Sequence, residues 1–219
     1  DLRDEKAEVI LEGYFLEDVS PDGAQILVSG VDQTNVMGKR PLFIADINGD
    51  QLNEITADFH SAGSGGKGAA WIEGMDTIVF RKEVNGIIQL FELSPSGEMR
   101  QITRSSVGVL KFDPALVDGK ILWEEGYSTQ SGSWSRGYRL TGFDDYETIT
   151  LQDWIPDLPR ESMNYLLSPD RKSIFYEVWS AERSYGMADV DFDEVFEFTA
   201  EDLLSETIPD VNYMFDNMV

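Results

Sequence analysis

The feature that most constrains this sequence is an apolar residue followed by threonine, which recurs at nearly constant intervals. The pair closes four successive segments rich in strand-forming residues, at Ile55-Thr56, Ile102-Thr103, Ile149-Thr150 and Phe198-Thr199. The intervals between successive pairs are 47, 47 and 49 residues. A fixed period of this size indicates a repeat protein, in which each unit buries its hydrophobic face against its neighbours.

The internal pattern of each unit predicts β-strands. A turn precedes a short run of β-branched and aromatic residues, as in SPDGAQILVSG from Ser20 and SPDRKSIFYEVW from Ser168. A third strand, such as IIQLFEL from Ile87, is then followed by a tight turn and by the strand that ends at the threonine. Strands bounded by such turns and repeated every roughly 40–50 residues are typical of four-stranded propeller blades.

We therefore predict an all-β fold, a β-propeller of four-stranded antiparallel blades in a single domain over residues 1–219. Four full blades are expected at about 14–58, 66–104, 106–151 and 161–199, with end strands at 7–13 and 208–215. Joined in one shared blade, the end strands would close a ring of five and hide both strand edges. Alternatively, the chain is part of a larger propeller. Helical periodicity is nearly absent; the best helical candidate, residues 200–205, is short, and a plain turn is the alternative.

Composition and charge narrow the possible partners. The chain has 17 Lys and Arg against 41 Asp and Glu, a net charge of −24. Such a field repels phosphate, so we expect no nucleic-acid partner, and no apolar run reaches the roughly 18 residues that span a bilayer. The absence of cysteine excludes disulfides and thiolate ligands or nucleophiles. The acidic excess favours solubility or, alternatively, attraction of cations or of a basic partner.

The repeated motifs resemble the repeat of TolB-like β-propellers. VSPDGAQILVSG with PLFIADINGDQLNEIT matches both halves of that repeat, IQLFELSPSGEMRQIT matches the second half, and YLLSPDRKSIFYEVW matches the first. The resemblance covers roughly residues 14–199 and is weakest in the third unit, where residues 135–143 lack the Asp-Gly turn. It implies a propeller that is often exported and that often serves as a protein-binding platform or as a domain of a larger enzyme.

The inventory of catalytic groups is small. The single histidine, His60, follows the first threonine marker, and a Ser-His-Asp triad would have to use it. SAGSGGKGAAW from Ser61 fails the phosphate-loop pattern, because Ser61 and Gly68 stand where Gly and Ser or Thr are required. We predict a chain that is not an enzyme, with His60 in a loop or at a rim.

Two acidic segments are candidates for calcium. DINGDQLNE places Asp46, Asn48, Asp50 and Glu54 at the alternate spacing of calcium loops, where hard oxygen ligands converge. However, Gln51 stands where the calcium loop needs Gly, and Asn-Gly is also the preferred pair of a plain turn. The second segment, DVDFDE from Asp189, favours an exposed acidic strand edge. We predict no cofactor, with calcium as the alternative.

The segment EEGYSTQSGSWSRGYR, from Glu124 to Arg139, is the candidate partner-binding surface. It is rich in Gly and Ser and carries Tyr127, Trp134, Arg136 and Tyr138. Aromatic side chains with small polar neighbours on a long loop suit the stacking of a protein or a sugar. The alternative is that Trp134 packs back over the blade as part of the core.

These observations predict a non-catalytic binding or scaffold propeller that mediates protein–protein interaction. The family resemblance implies a periplasmic or extracellular location. One alternative is a carboxylate-based carbohydrate-active enzyme with an acid pair in the central funnel, since carbohydrate is a possible ligand. Another is a calcium-dependent structural or adhesive propeller.

Overall fold

The computed structural model describes residues 11–30, 39–61, 67–128, 134–154, 162–168, 173–178, 184–189 and 195–198. The first eight strands are β1 Tyr14–Val19, β2 Gln25–Gly30, β3 Lys39–Asp46, β4 Asn53–His60, β5 Ala69–Trp71, β6 Ile78–Val84, β7 Ile87–Leu93 and β8 Met99–Gln101. The next four are β9 Val109–Val117, β10 Lys120–Ser128, β11 Trp134–Gly142 and β12 Thr148–Thr150. After helix α1 (Leu151–Trp154) come β13 Ser162–Leu167, β14 Ser173–Val178, β15 Ser184–Asp189 and β16 Val195–Phe198.

The strands form three sheets in chain order. The first sheet has the order β1-β2-β3-β4-β6-β7-β8, with β5 paired to β6; the second is β12-β11-β10-β9 and the third β13-β14-β15-β16. Each strand pair with a described register is antiparallel. These sheets confirm the predicted all-β, antiparallel fold. The predicted end strands at 7–13 and 208–215 fall almost wholly outside the described residues, and only the turn at 11–13 is described.

Each threonine marker lies in the fourth strand of its group or directly after it, and three of the four mark the end of that strand. Ile149-Thr150 ends β12, Phe198 ends β16, and Ile102-Thr103 directly follows β8. The first marker differs, because β4 continues through Ile55-Thr56 to His60. The sequence period therefore corresponds to a period of four strands in the structure.

The Ser-Pro-Asp-Gly turn is held by its own side chains. Oγ of Ser20 accepts a hydrogen bond from the Gln25 N–H at 2.8 Å, and Oδ1 of Asp22 accepts one from the Ala24 N–H at 3.0 Å. The same contact recurs in the fourth sequence repeat, where the Ser173 N–H donates to Oγ of Ser168 at 2.9 Å. The motif recurs because its serine closes the hairpin.

The chain divides into two compact units, Asp1–Thr148 and Ile149–Val219. In the first unit, one core cluster lies between β1–β4 and β5–β6, with Leu27, Leu42 and Phe59 against Trp71, Ile78 and Phe80. A second cluster joins β5–β8 to β9–β10 through residues such as Ile72, Leu90, Ile121 and Trp123.

The second unit begins with a short helix that the sequence pattern did not predict. The Asp153 N–H donates to Oγ1 of Thr150 at 2.8 Å, and the Thr150 N–H donates to the Asp153 carboxylate at 3.3 Å. This reciprocal cap supplies partners for N–H groups at the start of α1. The helix expected near residues 200–205 lies outside the described residues. No helix in the described part of the chain is long and apolar enough to cross a bilayer.

Candidate functional site

The predicted calcium residues lie in and beside the β3–β4 turn, which Asp46 closes with its own carboxylate. Oδ1 of Asp46 accepts hydrogen bonds from the N–H groups of Asn48 at 3.0 Å and Asp50 at 2.8 Å. Glu54 is exposed on β4, opposite Phe43 of β3. Among the described residues, no group of three or more His, Cys, Asp or Glu is placed to hold a metal ion. The arrangement matches the plain-turn alternative, and calcium binding stays a prediction.

The segment expected to be a long loop is a β-hairpin over its described residues, which corrects that expectation. Strands β10 and β11 pair continuously to Ser128 opposite Trp134, with Tyr127 opposite Ser135 and Arg136 opposite Gly126. The Gly and Ser content suggested a loop, but strand pairing overrides local propensity. Residues 129–133 lie outside the described part of the chain. A role of Tyr127, Trp134 and Arg136 in partner binding stays a prediction.

Tyr138 is a buried member of a polar row across the second sheet. Glu124 lies directly opposite both Lys111 on β9 and Tyr138 on β11. The Tyr138 hydroxyl donates to Oε2 of Glu124 at 3.1 Å, and Nζ of Lys111 lies 3.1 Å from the same oxygen. Only 5% of Tyr138 is exposed, so its ring is packed inside the described structure. Its partner-binding role also stays a prediction.

A second polar network joins the first two sheets. Oε1 of Glu125 accepts a hydrogen bond from Nε of Arg139 at 2.8 Å, and Oε2 accepts one from Oγ of Ser105 at 3.2 Å. Gln89 on β7 donates to the Ser105 carbonyl at 2.6 Å and accepts from Oγ1 of Thr103 at 2.9 Å. The network fixes the connection between β8 and β9, since each buried polar group finds a partner there.

The first strands of the first and third repeats, β1 and β9, each carry an acidic group. Asp18 at the end of β1 accepts hydrogen bonds from Nζ of Lys67 at 2.6 Å and from the Trp71 N–H at 3.0 Å. Asp113 on β9 is half-buried, and burial raises the pKa of its carboxyl. A backbone hydrogen bond and the charges of Lys111 and Lys67 oppose that rise in pKa. Asp113 is therefore the described carboxyl whose environment most clearly disfavours its charge.

His60 is the last residue of β4, opposite Lys39 at the start of β3, and is half-buried. Burial lowers the pKa of its imidazole, and the neighbouring charges of Arg81 and Lys39 act in the same direction. The environment of His60 therefore favours the neutral imidazole. Its Nδ1 lies 3.4 Å from the Ser61 carbonyl oxygen.

Six turns of the first compact unit lie at the same end of its strands, and we call the surface that they form the turn edge. They span residues 20–24, 47–52, 72–77, 94–98, 118–119 and 143–147. The first two are joined by a hydrogen bond from the Ile47 N–H to the Ala24 carbonyl at 2.9 Å. The strands leading to the first and third turns are joined by the bond between Asp18 and Trp71.

The other turns are tied to the same edge. The Tyr146 hydroxyl, in the sixth turn, donates to Glu92 at 2.6 Å, close to the fourth turn. Met75 of the third turn packs against the same core cluster as Tyr146. The fifth turn adjoins the sixth, because Lys120 pairs with Gly142.

The turn edge is strongly acidic. Its exposed carboxylates are Asp22, Asp50, Glu73, Asp76, Glu98, Asp118, Asp144, Asp145 and Glu147. The six turns contain no Lys, Arg or His. Among the described residues, the segments that connect strands at the opposite ends are 67–68, 85–86 and 102–108, and they carry Lys67 and Arg104 but no carboxylate. Negative charge is therefore concentrated at the turn edge and not at the opposite ends of the strands. The order of residues along the chain did not show this.

Neither a protein-family model nor a curated protein matches this chain. Several solved structures, in contrast, align with this chain. A TolB from Acinetobacter baumannii aligns with a TM-score of 0.54 and 13% identity, over 85% of this chain and 43% of that one. A putative TolB from Agrobacterium tumefaciens gives a TM-score of 0.52 and 14% identity, over 83% and 64%.

An oligogalacturonate lyase from Vibrio parahaemolyticus gives a TM-score of 0.61 at 10% identity, over 91% of this chain and 58% of that one. The chain thus spans roughly half of these proteins, from 43% to 64% of their lengths. At such identities the likeness concerns the fold alone, and it supports a TolB-like fold, as the repeated motifs predicted.

Proposed function

We propose that this chain is a non-catalytic binding module that presents its acidic turn edge to a protein partner with a basic surface. The observation that carries the proposal is the concentration of exposed carboxylates in six turns that contain no Lys, Arg or His, although Glu98 and Asp118 pair with Arg100 and Lys120 on the adjoining strands. Complementary charge accelerates encounter and rejects partners of like charge, so such an edge selects a basic surface. Turns on a rigid sheet scaffold are common places for recognition.

The fold supports the same proposal. TolB-like structures are among those that align with this chain, and the repeated motifs resemble that family. We further propose that the groups of four strands are propeller blades, and that segments 7–13 and 208–215 complete a shared blade. A location outside the cytoplasm, periplasmic or extracellular, belongs to the proposal because the family resemblance implies it.

A second candidate function is a carboxylate-based carbohydrate-active enzyme. Asp113 favours it, because a half-buried carboxyl with a raised pKa beside Lys111 suits general acid–base chemistry. The aligned oligogalacturonate lyase shows that this fold accommodates catalysis. Cleavage of oligogalacturonate or a neutral oligosaccharide by the wild type, lost in Asp113→Asn, would establish the enzyme.

A calcium-dependent role is tested separately. If Asp46, Asn48, Asp50 and Glu54 hold the ion, calcium must raise the melting temperature and chelator must lower it. Asp46→Asn would weaken that response. An unchanged melting temperature would leave Asp46 as a turn residue alone.

The binding proposal is tested by capture of partners from extracts of the source organism, prepared separately from cytoplasm and cell envelope. Wild-type chain is compared with Asp144→Asn/Glu147→Gln, which removes two charges from the turn edge. The matched control is Asp58→Asn/Glu83→Gln, which removes two charges that lie beside Lys39 instead. We expect one basic protein from the envelope fraction, retained by the wild type and the control and reduced several-fold by the turn-edge variant. Equal loss in both variants, or none, would contradict the proposal.

A further inference from the structure

Three of the five large apolar side chains that are exposed in the described part of the chain share one face of the first sheet. They are Leu16 and Val19 on β1, 63% and 42% exposed, and Ile47 directly after β3, 38% exposed. Single apolar side chains are ordinary on a protein surface, whereas a group of them on one face indicates a contact surface. We call these three side chains the apolar patch.

A β-bulge places Leu16 and Val19 on the same face. In a regular strand, residues three positions apart point to opposite faces of the sheet. The register of β1 with β2 shifts between Leu16 and Asp18, so that Leu16 lies opposite Val28 and Val19 lies opposite Ile26. Val28 and Ile26 are alternate residues of β2 and share one face. The bulge therefore turns both exposed side chains to the same side, as bulges commonly do when they redirect a side chain.

Ile47 continues this face across β3. Ala45 lies opposite Ile26 and is buried in one cluster with it. The Ile47 N–H donates to the Ala24 carbonyl at 2.9 Å, so the pairing of β2 with β3 extends to Ile47, which alternation puts on the same side as Ala45. Leu11 packs against the buried centre of the face, and the apolar patch is its exposed border towards the turn edge.

Carboxylates surround the apolar patch at this end of the sheet. Val19 directly precedes the first turn, which carries the exposed Asp22, and Ile47 begins the second turn, which carries the exposed Asp50. Glu54 is exposed on the neighbouring strand β4. An apolar centre with a polar rim is the usual composition of a protein-binding surface. Because this rim is negative, its complement is an apolar segment with positive charges beside it.

We propose that the apolar patch and its carboxylates bind one segment of the basic partner, in which apolar residues stand between lysines or arginines. This inference rests on the proposed function and adds the apolar part of the contact to it. Charge favours such a partner over the two other possible occupants. The C-terminal residues 199–219 contain Asp and Glu but no Lys or Arg, and a second copy of this chain carries a net charge of −24.

The test is the binding of two synthetic peptides to the full 219-residue chain, measured by fluorescence anisotropy at physiological ionic strength. Both peptides have the same length and carry the same number of lysines at both ends. One has a central run of leucine and valine, and the other has a central run of serine and threonine. We expect the chain to bind the apolar-centred peptide several-fold more tightly, since only this peptide can cover the apolar patch.

The outcomes separate this inference from the proposed function. Equal affinity for the two peptides would overturn the inference and leave the charge-based proposal standing; the apolar patch would then be covered by the chain's own ends or by a second copy. Binding of neither peptide would contradict both proposals.

Matched variants locate the contact. Val19→Thr should reduce the preference for the apolar-centred peptide, and Leu16→Thr/Val19→Thr should abolish it. Val107→Thr should leave the preference unchanged, because this valine is 43% exposed but lies between β8 and β9, at the opposite end of the strands. Asp50→Asn/Glu54→Gln should weaken the binding of both peptides equally. A preference that persists in Leu16→Thr/Val19→Thr, or that falls equally in Val19→Thr and Val107→Thr, would overturn the inference.

Discussion

At the residue scale, Arg81 shows how one buried side chain joins distant parts of the chain. Its two terminal nitrogens bind carbonyls that follow β4 and begin β9, while its own backbone N–H binds the Gly68 carbonyl at 2.9 Å. A planar fork can reach two carbonyls at once, which an ammonium group on a flexible stem does poorly.

We expect Arg81→Lys to lower the free energy of unfolding by about 2–3 kcal/mol, because at least one buried carbonyl loses its charged donor. Urea denaturation measures this. Arg104→Lys, at an exposed position, should stay within about 0.5 kcal/mol of the wild type. Equal effects at the two positions would show that Arg81 does not hold the segments together.

Asp113 predicts a pH dependence with a definite sign. Burial raises the pKa of its carboxyl in the folded state above the ordinary value of 3.8, so the folded state binds more protons than the unfolded state just above that pH. Stability contributed by Asp113 is therefore present in acid and lost as the pH rises through the folded pKa.

Asp113→Asn should accordingly be more stable than the wild type at pH 7, with the difference vanishing below about pH 3. Oδ1 of Asp113 accepts the Ala115 N–H at 2.9 Å, and an asparagine carbonyl can keep that bond. Thermal melts across the pH range test this, with the exposed Asp118→Asn as control. A destabilised Asp113→Asn at pH 7 would mean that the charge itself is needed there.

At the scale of elements, turn chemistry fixes the hairpins. Asp118 and Gly119 between β9 and β10 have φ angles of 49° and 68°, and Asn85 and Gly86 between β6 and β7 have 53° and 83°. Two successive positive φ angles are the geometry of the two-residue turn that matches strand twist. Only glycine adopts such angles without steric cost.

Gly119→Ala should therefore lower the free energy of unfolding by about 1 kcal/mol, as a side chain is forced into the left-handed region. Asp118→Gly should be neutral or slightly stabilising, because glycine removes the steric cost of the positive φ angle at position 118. Chemical denaturation of both variants is the measurement. Equal destabilisation by the two would point to lost side-chain contacts instead of backbone geometry.

Most of the strands and turns could be predicted from the sequence, but one hairpin and the short helix could not. Strands and turns follow from local chemistry, so the period at Thr56, Thr103 and Thr150 predicted groups of four strands. The β10–β11 hairpin escaped prediction because Gly and Ser are weak strand formers, and only pairing across the sheet reveals their register. Helix α1 was missed because four residues carry no helical periodicity.

At the scale of the whole molecule, the fold brings together acidic residues that are far apart in the sequence. Acidic residues spread along the chain come together because alternate turns of antiparallel strands lie at the same end of a sheet. The ion pair between Glu17 and Arg40 was likewise not predictable, because the two residues lie on different strands. The β3–β4 turn that Asp46 closes, in contrast, was predictable from local sequence alone.

The proposed propeller also predicts the size of the molecule. A compact 219-residue protein should have a radius of gyration of about 17 Å, whereas an unfolded chain of that length approaches about 50 Å. Size-exclusion chromatography coupled to X-ray scattering should give a compact monomer if the end segments complete a blade. A dimer, or an elongated particle, would refute closure within the chain.

The salt dependence of binding between the captured partner and this chain tests whether the turn edge makes the contact. If the turn edge makes the contact, affinity falls as salt rises, because exposed charges are screened beyond about 8–10 Å at physiological ionic strength. Asp144→Asn/Glu147→Gln should bind more weakly and show a shallower dependence on salt, while Asp58→Asn/Glu83→Gln matches the wild type. Identical salt dependence in all three proteins would show that the partner does not bind through the turn edge.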